Sequence, residues 1–583
     1  MINKMISTSG RGSSVLHIDK DSDNYGIGEG LAFHADAEDN IAIGENALNS
    51  TSGAALQNVA IGTNALTTVT TGDFNIAIGL GAGKLLEGGA ANTILGTSAG
   101  DAFDDESHNT IIGYAAGGGA LSASELVVIG SSALVGAATQ DGTIAIGRNA
   151  LYALTTGNKN IAIGYHALSL LIEGDNNIAI GYQSMNAMVG EAGDDNVGHD
   201  NIALGTDSMG SVNAGTGDSA VSNNNIAIGS NALLGGLFSA GESLTGNIAI
   251  GYHALDGTST RTQIGTIAIG HEALTGAVEG TAQGAVGIGY QALAALTTGA
   301  GNTAIGYRTL DANLVGSYNT AIGYESLTTF VADADNHGHN TAIGYFSGRY
   351  VSTGTANTFL GSTAGQGITG TPLTGNDNTA VGAGAGEELE GVAHSNTFVG
   401  SGAGNTTEAG IENTIVGYNC EAYDETADNQ IVIGNNLTGT DLSNSVYIGN
   451  DSSHIQNDFN TDATWTHSSD VRQKTDIKDE SLGLSFVNDI RPVTYKHKSP
   501  SEFPQEWSAY DSDDKEPMGG DKTIHGLIAQ EVKEAMDKAG IDTFQGWSDG
   551  QDGRQRVSFE AFVLPLIKAV QELSAEVEKL KNK

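Results

Sequence analysis

Residues 160–168 read NIAIGYHAL, and residues 40–48 read NIAIGENAL. A third version, NTAIGYESL, begins at Asn319. The unit reads Asn-Ile/Thr-Ala/Ile-Ile/Leu-Gly-x-x-Ala/Ser-Leu/Gly, and aligned on the glycine 24 units of this type, some with substitutions, run from Gly28 to Gly449, most often 17 residues apart. Longer spacings cluster between Gly181 and Gly270. Self-similarity at a fixed period marks a solenoid, in which no repeat buries its apolar face alone but stacked repeats share one core.

The pattern predicts the shape of one coil. In Ile41-Ala42-Ile43 the two isoleucines share one face of a strand and Ala42 takes the other. β-Branched residues favour strands, and the glycine that follows permits a turn. On this reading the isoleucines fill the core, and Ala47-Leu48 adds a short second strand. The alanines, with the Asn and Thr side chains, then form a smooth outer surface for packing against other chains. The expected fold class is mainly β, a long parallel β-roll or β-solenoid of about 24 coils in a homotrimer. At about 4.8 Å per coil the rod is on the order of 110 Å long. A small α/β domain ending in a coiled coil follows it. The expected division is an attachment segment over 1–23, a shaft over 24–450, a linker over 451–468 and a C-terminal domain over 469–583.

Composition bounds the function. The chain has 583 residues, 83 glycines, 6 prolines and a single cysteine, Cys420, so an intrachain disulfide framework is excluded. The net charge is −43, which argues against nucleic acid as a partner. Residues 1–468 carry 46 acidic and 9 basic side chains, whereas 469–583 carry 22 and 16. That shift marks a boundary near residue 460. The first 24 residues contain no apolar secretory core, and no run of 18 apolar residues occurs, so no membrane insertion is expected. No cofactor is indicated.

Two decorations stand on the shaft. Tyrosine often follows the repeat glycine, as at Tyr165, Tyr182, Tyr290, Tyr307, Tyr324 and Tyr345. Aromatic columns bind sugar rings, but stacking along a solenoid turn is the simpler expectation. Loops around His199, and around His337 and His339, pair histidine with carboxylates. These are read as solvated loops rather than metal sites. The insertions between Gly181 and Gly270 are the expected place for receptor contact, since loops on rigid scaffolds carry recognition.

After Gly449 the period stops. The sequence predicts a helix from about Leu482, a strand after Pro492, a strand entering a helix in HGLIAQEVKEAMDKAG that ends at Gly540, and a last helix. In that last helix Val563, Leu566, Val570, Leu573, Val577 and Leu580 alternate by three and four residues, an a/d seam.

The repeat cores resemble the head repeats of trimeric autotransporter adhesins, which implies left-handed parallel β-rolls packed in threes, although the period here is longer. SSDVRQKTDI, LSFVNDIRPVTY, HGLIAQEV and the terminal heptads resemble, in order, the intramolecular chaperone domain of the endosialidase type. That family sits at the C-terminus of phage tail fibres and tailspikes. The resemblance implies a domain that assembles three chains and then cuts itself off. Carried onto this chain, Ser469 is the nucleophile and Lys474 its base, with Asp470 and Arg472 as supporting residues. The cut falls between Ser468 and Ser469. A serine needs such a base, and desolvation favours a neutral lysine.

The resulting expectation is a trimeric phage tail fibre, made in the host cytoplasm and carried on the virion. Its partners would be two further copies of itself, a host surface receptor (a glycan or outer-membrane component), and a virion adapter or baseplate protein. Self-cleavage aside, no turnover activity is evident. The alternatives are a glycan-degrading tailspike, which needs paired carboxylates in a groove, and a cellular trimeric surface adhesin.

Overall fold

The computed structural model describes residues 16–19, 21–31, 33–34, 36–49, 53–119, 122–189, 198–212, 221–236, 242–257, 262–276, 283–332, 337–440, 443–458, 469–505, 507, 510–517, 521–550 and 554–583. The chain divides into two compact units, Met1–His467 and Ser468–Lys583. The expected attachment segment before Leu16 and most of the expected linker lie outside the described residues.

The first unit is a parallel β-solenoid. Its main sheet has 26 strands. The first, Leu16–Asp19, and the last, Ser453–Asp458, run antiparallel to their neighbours. The 24 strands between them pair in parallel, one per repeat, and most are only three residues long. Ala162 lies between Ala145 and Ala179 in adjacent coils, and the whole column keeps this register. Three insertions stack as a second small parallel sheet, Val221–Asn223, Ser243–Thr245 and Gln263–Ile264.

The faces are the reverse of the expectation. Ala42, Ala60, Ala77, Ala145 and Ala162 are fully buried, whereas Ile41 and Ile43 are 39% and 38% exposed. Close packing decides this. In most coils the leucine of the facing turn fills the space, as Leu168 does, and leaves little more than a methyl group's room at the inward strand position, so the bulkier isoleucines point away. Ala47-Leu48 is a buried turn rather than a second strand. Leu48 sits at φ 48° and Asn46 at φ 53°. These left-handed residues aim backbone N–H groups along the rod: Asn46 N donates to Glu29 O at 2.8 Å, and Leu48 N to Ala65 O at 3.0 Å.

Volume in the core is shared between two positions of the unit. Ala162 is matched by Leu168, but Phe359 by Gly365 and Phe398 by Gly404. A Cβ on Gly365 would lie 2.3 Å from the Phe359 ring, and one on Gly404 would lie 2.7 Å from the Phe398 ring. The repeat glycine has another cause. Gly164 has φ 142°, and a Cβ there would meet the Gly181 carbonyl of the next coil at 2.2 Å; only glycine allows that approach.

The asparagine that opens most units is also inside. Asn75 N donates to Asn58 Oδ1 at 2.8 Å, Asn75 Nδ2 to Gly89 O at 2.8 Å, and Asn92 N to Asn75 Oδ1 at 2.9 Å. Asn75 and Asn92 are both fully buried. The ladder satisfies backbone groups that a turn would otherwise bury without partners. The asparagine column is therefore an internal strut, not the outer surface expected from sequence.

The second unit is a small α/β domain. Helix α1 (Leu484–Asp489), helix α2 (Ala529–Ala539) and helix α3 (Val563–Lys581) accompany two hairpin-like pairs, Val493–Tyr495 with Ile524–Gly526 and Trp547–Asp549 with Gln555–Val557. Its core joins Leu482, Phe486, Val532, Ala535, Met536 and Phe562. Helix α2 stops at Gly540, at φ 70°, where Ile541 N donates back to Met536 O at 3.0 Å, a glycine-terminated C-cap. Pro565 stands in the first turn of α3, where its missing N–H has no intrahelical partner to lose.

Candidate cleavage site

Ser469 and Lys474 are brought together by one short turn. Asp470 precedes the 3-10 turn Val471–Gln473, and its side chain accepts from Arg472 N at 2.8 Å. Lys474 N donates to Val471 O at 3.1 Å, which closes the turn. The five-residue spacing thereby becomes a contact: Lys474 Nζ donates to Ser469 Oγ at 2.5 Å. Arg472 grips the Asp470 carboxylate through Nε at 3.0 and 3.1 Å. That guanidinium holds the Asp470 carboxyl below the usual aspartate range. Ser468 lies outside the described residues.

The pair has the geometry of a nucleophile with its base, but not yet the proton in the catalytic direction. Attack requires Ser469 Oγ to give its proton to a neutral Lys474 Nζ. A drier surrounding favours the neutral amine. Both side chains are exposed in the single chain.

The remaining sequence candidates fall elsewhere. His199 Nδ1 accepts from Asp175 N at 3.1 Å. His339 stacks on Tyr318 with ring centroids 5.3 Å apart. The carboxylates of the two histidine loops mostly lie outside the described residues. Among the described residues no three His, Cys, Asp or Glu side chains gather as a metal site, and no helix is long and apolar enough to cross a membrane. The tyrosines stack on one another. Tyr290, Tyr307 and Tyr324 have centroids 5.2 and 4.9 Å apart, nearly parallel, so they cover each other's faces and offer mainly ring edges.

Sequence reasoning missed a larger feature. The second outward residue of every parallel strand in the main sheet is Ile, Leu or Val, from Ile27 through Ile163 to Ile448. This column is partly exposed and has no polar or charged interruption in any of the 24 strands. The signal was present in the two β-branched residues flanking each alanine; what was missing was the narrowness of the coil. A second exposed apolar row lies on α3, where Leu566, Val570, Leu573 and Leu580 are 48%, 62%, 50% and 70% exposed.

Residues 469–541 match the family model described as chaperone of endosialidase. The C-terminal unit carries an endosialidase-type chaperone. The match begins at Ser469, the residue in contact with Lys474. A long β-solenoid followed by this chaperone fits a tail fibre or tailspike with a C-terminal intramolecular chaperone. No match to the chain was found among curated proteins or solved structures.

Proposed function

We propose that this chain is the shaft of a homotrimeric phage tail fibre. Its C-terminal chaperone aligns three copies and then cuts itself off between Ser468 and Ser469. The observation that carries the reading is the unbroken aliphatic column of the solenoid, beside a chaperone whose family works at the end of such fibres. Monomers rarely expose contiguous apolar patches above a few hundred Å². This column runs the length of the rod with no charge in it, so copies of the same chain, in the same register, are its natural cover. The apolar seam of α3 supplies a second contact at the chaperone end. Neighbouring chains would also dry the Ser469–Lys474 pair, which ties cutting to assembly. The mature shaft then serves on the virion, joined to an adapter or baseplate protein at one end and reaching a host surface receptor.

A gel of boiled and unboiled wild type and Ser469→Ala tests this. Boiled wild type should run at about 48 kDa by residue proportion, with a released 115-residue fragment. Ser469→Ala should stay near 60 kDa, and both should run as multimers unboiled. Full-length wild type after assembly would overturn the cleavage step.

A further inference from the structure

The C-terminal end of the solenoid is built differently from its middle. Over the last coils the strands lengthen from three residues to Thr414–Tyr418, Gln430–Asn435 and Ser445–Asn450. Three columns change together. The internal asparagine ladder ends as Asn413 Oδ1 accepts from Gln430 N at 2.9 Å, and Gln430 Nε2 donates to Ser445 Oγ at 3.2 Å. The inward position, alanine through most of the rod, becomes Ile415, Val432 and then Tyr447, which is 1% exposed. The backbone then turns back: Ser453–Asp458 pairs antiparallel along all six residues of Ser445–Asn450. His454 lies edge-on to the Tyr447 ring, with centroids 5.9 Å apart.

The reversed strand removes what a further coil would need. A parallel solenoid that simply stops leaves a row of unpaired N–H and C=O groups and an open apolar core. Here the Tyr447 ring fills the core of the last coil, and a strand of the wrong direction covers the last parallel edge. That strand reads Ser-His-Ile-Gln-Asn-Asp, a mostly polar edge. The proposed cut lies ten residues beyond Asp458 in sequence, so all of this stays with the shaft.

We propose that residues 430–440 and 443–458 form a terminal cap that closes the rod against end-to-end joining with another rod once the chaperone has left. The proposal rests on the reading that the chaperone is released. Its interaction surface is the end of the rod, and the partner it excludes is the end of a second fibre of the same protein.

The test compares matured wild type with a chain in which Tyr447 is alanine and residues 453–458 are replaced by six glycines and serines, leaving the cut site intact. Negative-stain electron microscopy and light scattering would be run over a hundredfold range of concentration. Wild-type rods should stay single throughout. The altered rods should join into strings of two or more lengths as concentration rises; if they stay single, the cap is not needed and the proposal falls. Should the altered chain fail to assemble, hydrogen exchange on mature wild type decides. Amides of Ser445–Asn450 should be as protected as those of Ile161–Ile163, and exchange at the rate of an open chain end overturns the cap. The gel fragment is scored separately, so a rod that never releases its chaperone counts against cleavage and not against the cap.

Discussion

At the scale of single residues, the solenoid is held by side chains that do the work of backbone. Asn75 makes four buried hydrogen bonds: its N–H donates to Asn58 in the coil before, its Nδ2 donates to the Gly89 carbonyl, and its Oδ1 accepts from both N and Nδ2 of Asn92 in the coil after. Replacing it with alanine leaves the Asn92 N–H and the Gly89 carbonyl buried without partners. A loss of about 2–4 kcal/mol is expected, because an orphaned buried group costs its full desolvation penalty. Thermal unfolding of the rod measures this, and an exposed replacement such as Lys84→Ala serves as the near-neutral comparison. The asparagine was legible in the sequence as a fixed position, but its direction was not. Polar side chains ordinarily face water, and the ladder that makes their burial favourable spans neighbouring coils.

At the scale of the coil, the repeat is a rule about shared volume. Phe359 fills the space that Leu168 fills in its own coil, and Gly365 yields that space. Phe359→Ala alone should cost about 3–5 kcal/mol through the cavity it leaves. Adding Gly365→Leu should restore most of the loss. The backbone at Gly365 has φ 56°, and Leu168 already occupies φ 50° at the matching place, so the new side chain brings little extra strain. Denaturation of the single and double variants checks the coupling; additive losses would show that the two positions do not share one space. The period, the strands and the glycine turns were readable from sequence because they depend on local geometry. The alanine-in, isoleucine-out arrangement was not, because period two says which residues share a face but not which face is inside. Buried phenylalanines at the alanine position, as at Phe398, were the clue. The chaperone elements, including the stop at Gly540, were legible for the same local reasons, while the Ser469–Lys474 contact depended on the 3-10 turn that Asp470 caps.

At the scale of the whole chain, charge and assembly dominate. Asp311 is pushed above the usual aspartate range, first by burial, which outweighs its 2.7 Å bond from Arg308. Burial likewise raises Glu421, and burial together with Glu425, Glu390 and Glu388 raises Glu408. A carboxyl whose folded-state pKa is raised penalises the fold when ionised, and the penalty fades as pH falls through that raised value towards the ordinary one. Residues 1–468, with 46 acidic and 9 basic side chains, add general self-repulsion. Acidification from neutral pH towards the ordinary carboxyl range should therefore raise the unfolding temperature of the rod by a few degrees, on the order of 2–5 °C. Salt should give part of the same gain by screening. Unchanged or lower stability across that range would contradict the expectation.

The proposed assembly turns on the outward column. Placing one cysteine there, Ile163→Cys, and treating the matured protein with a short thiol-to-thiol cross-linker tests it most directly, since the one native thiol, Cys420, is buried. Packing of three chains through this column brings the three copies of residue 163 together around one axis, so covalent dimers and trimers should form in high yield. The exposed Leu85→Cys on the same rod should give none. Monomers alone from Ile163→Cys, in protein that sediments as a single chain, would contradict the account.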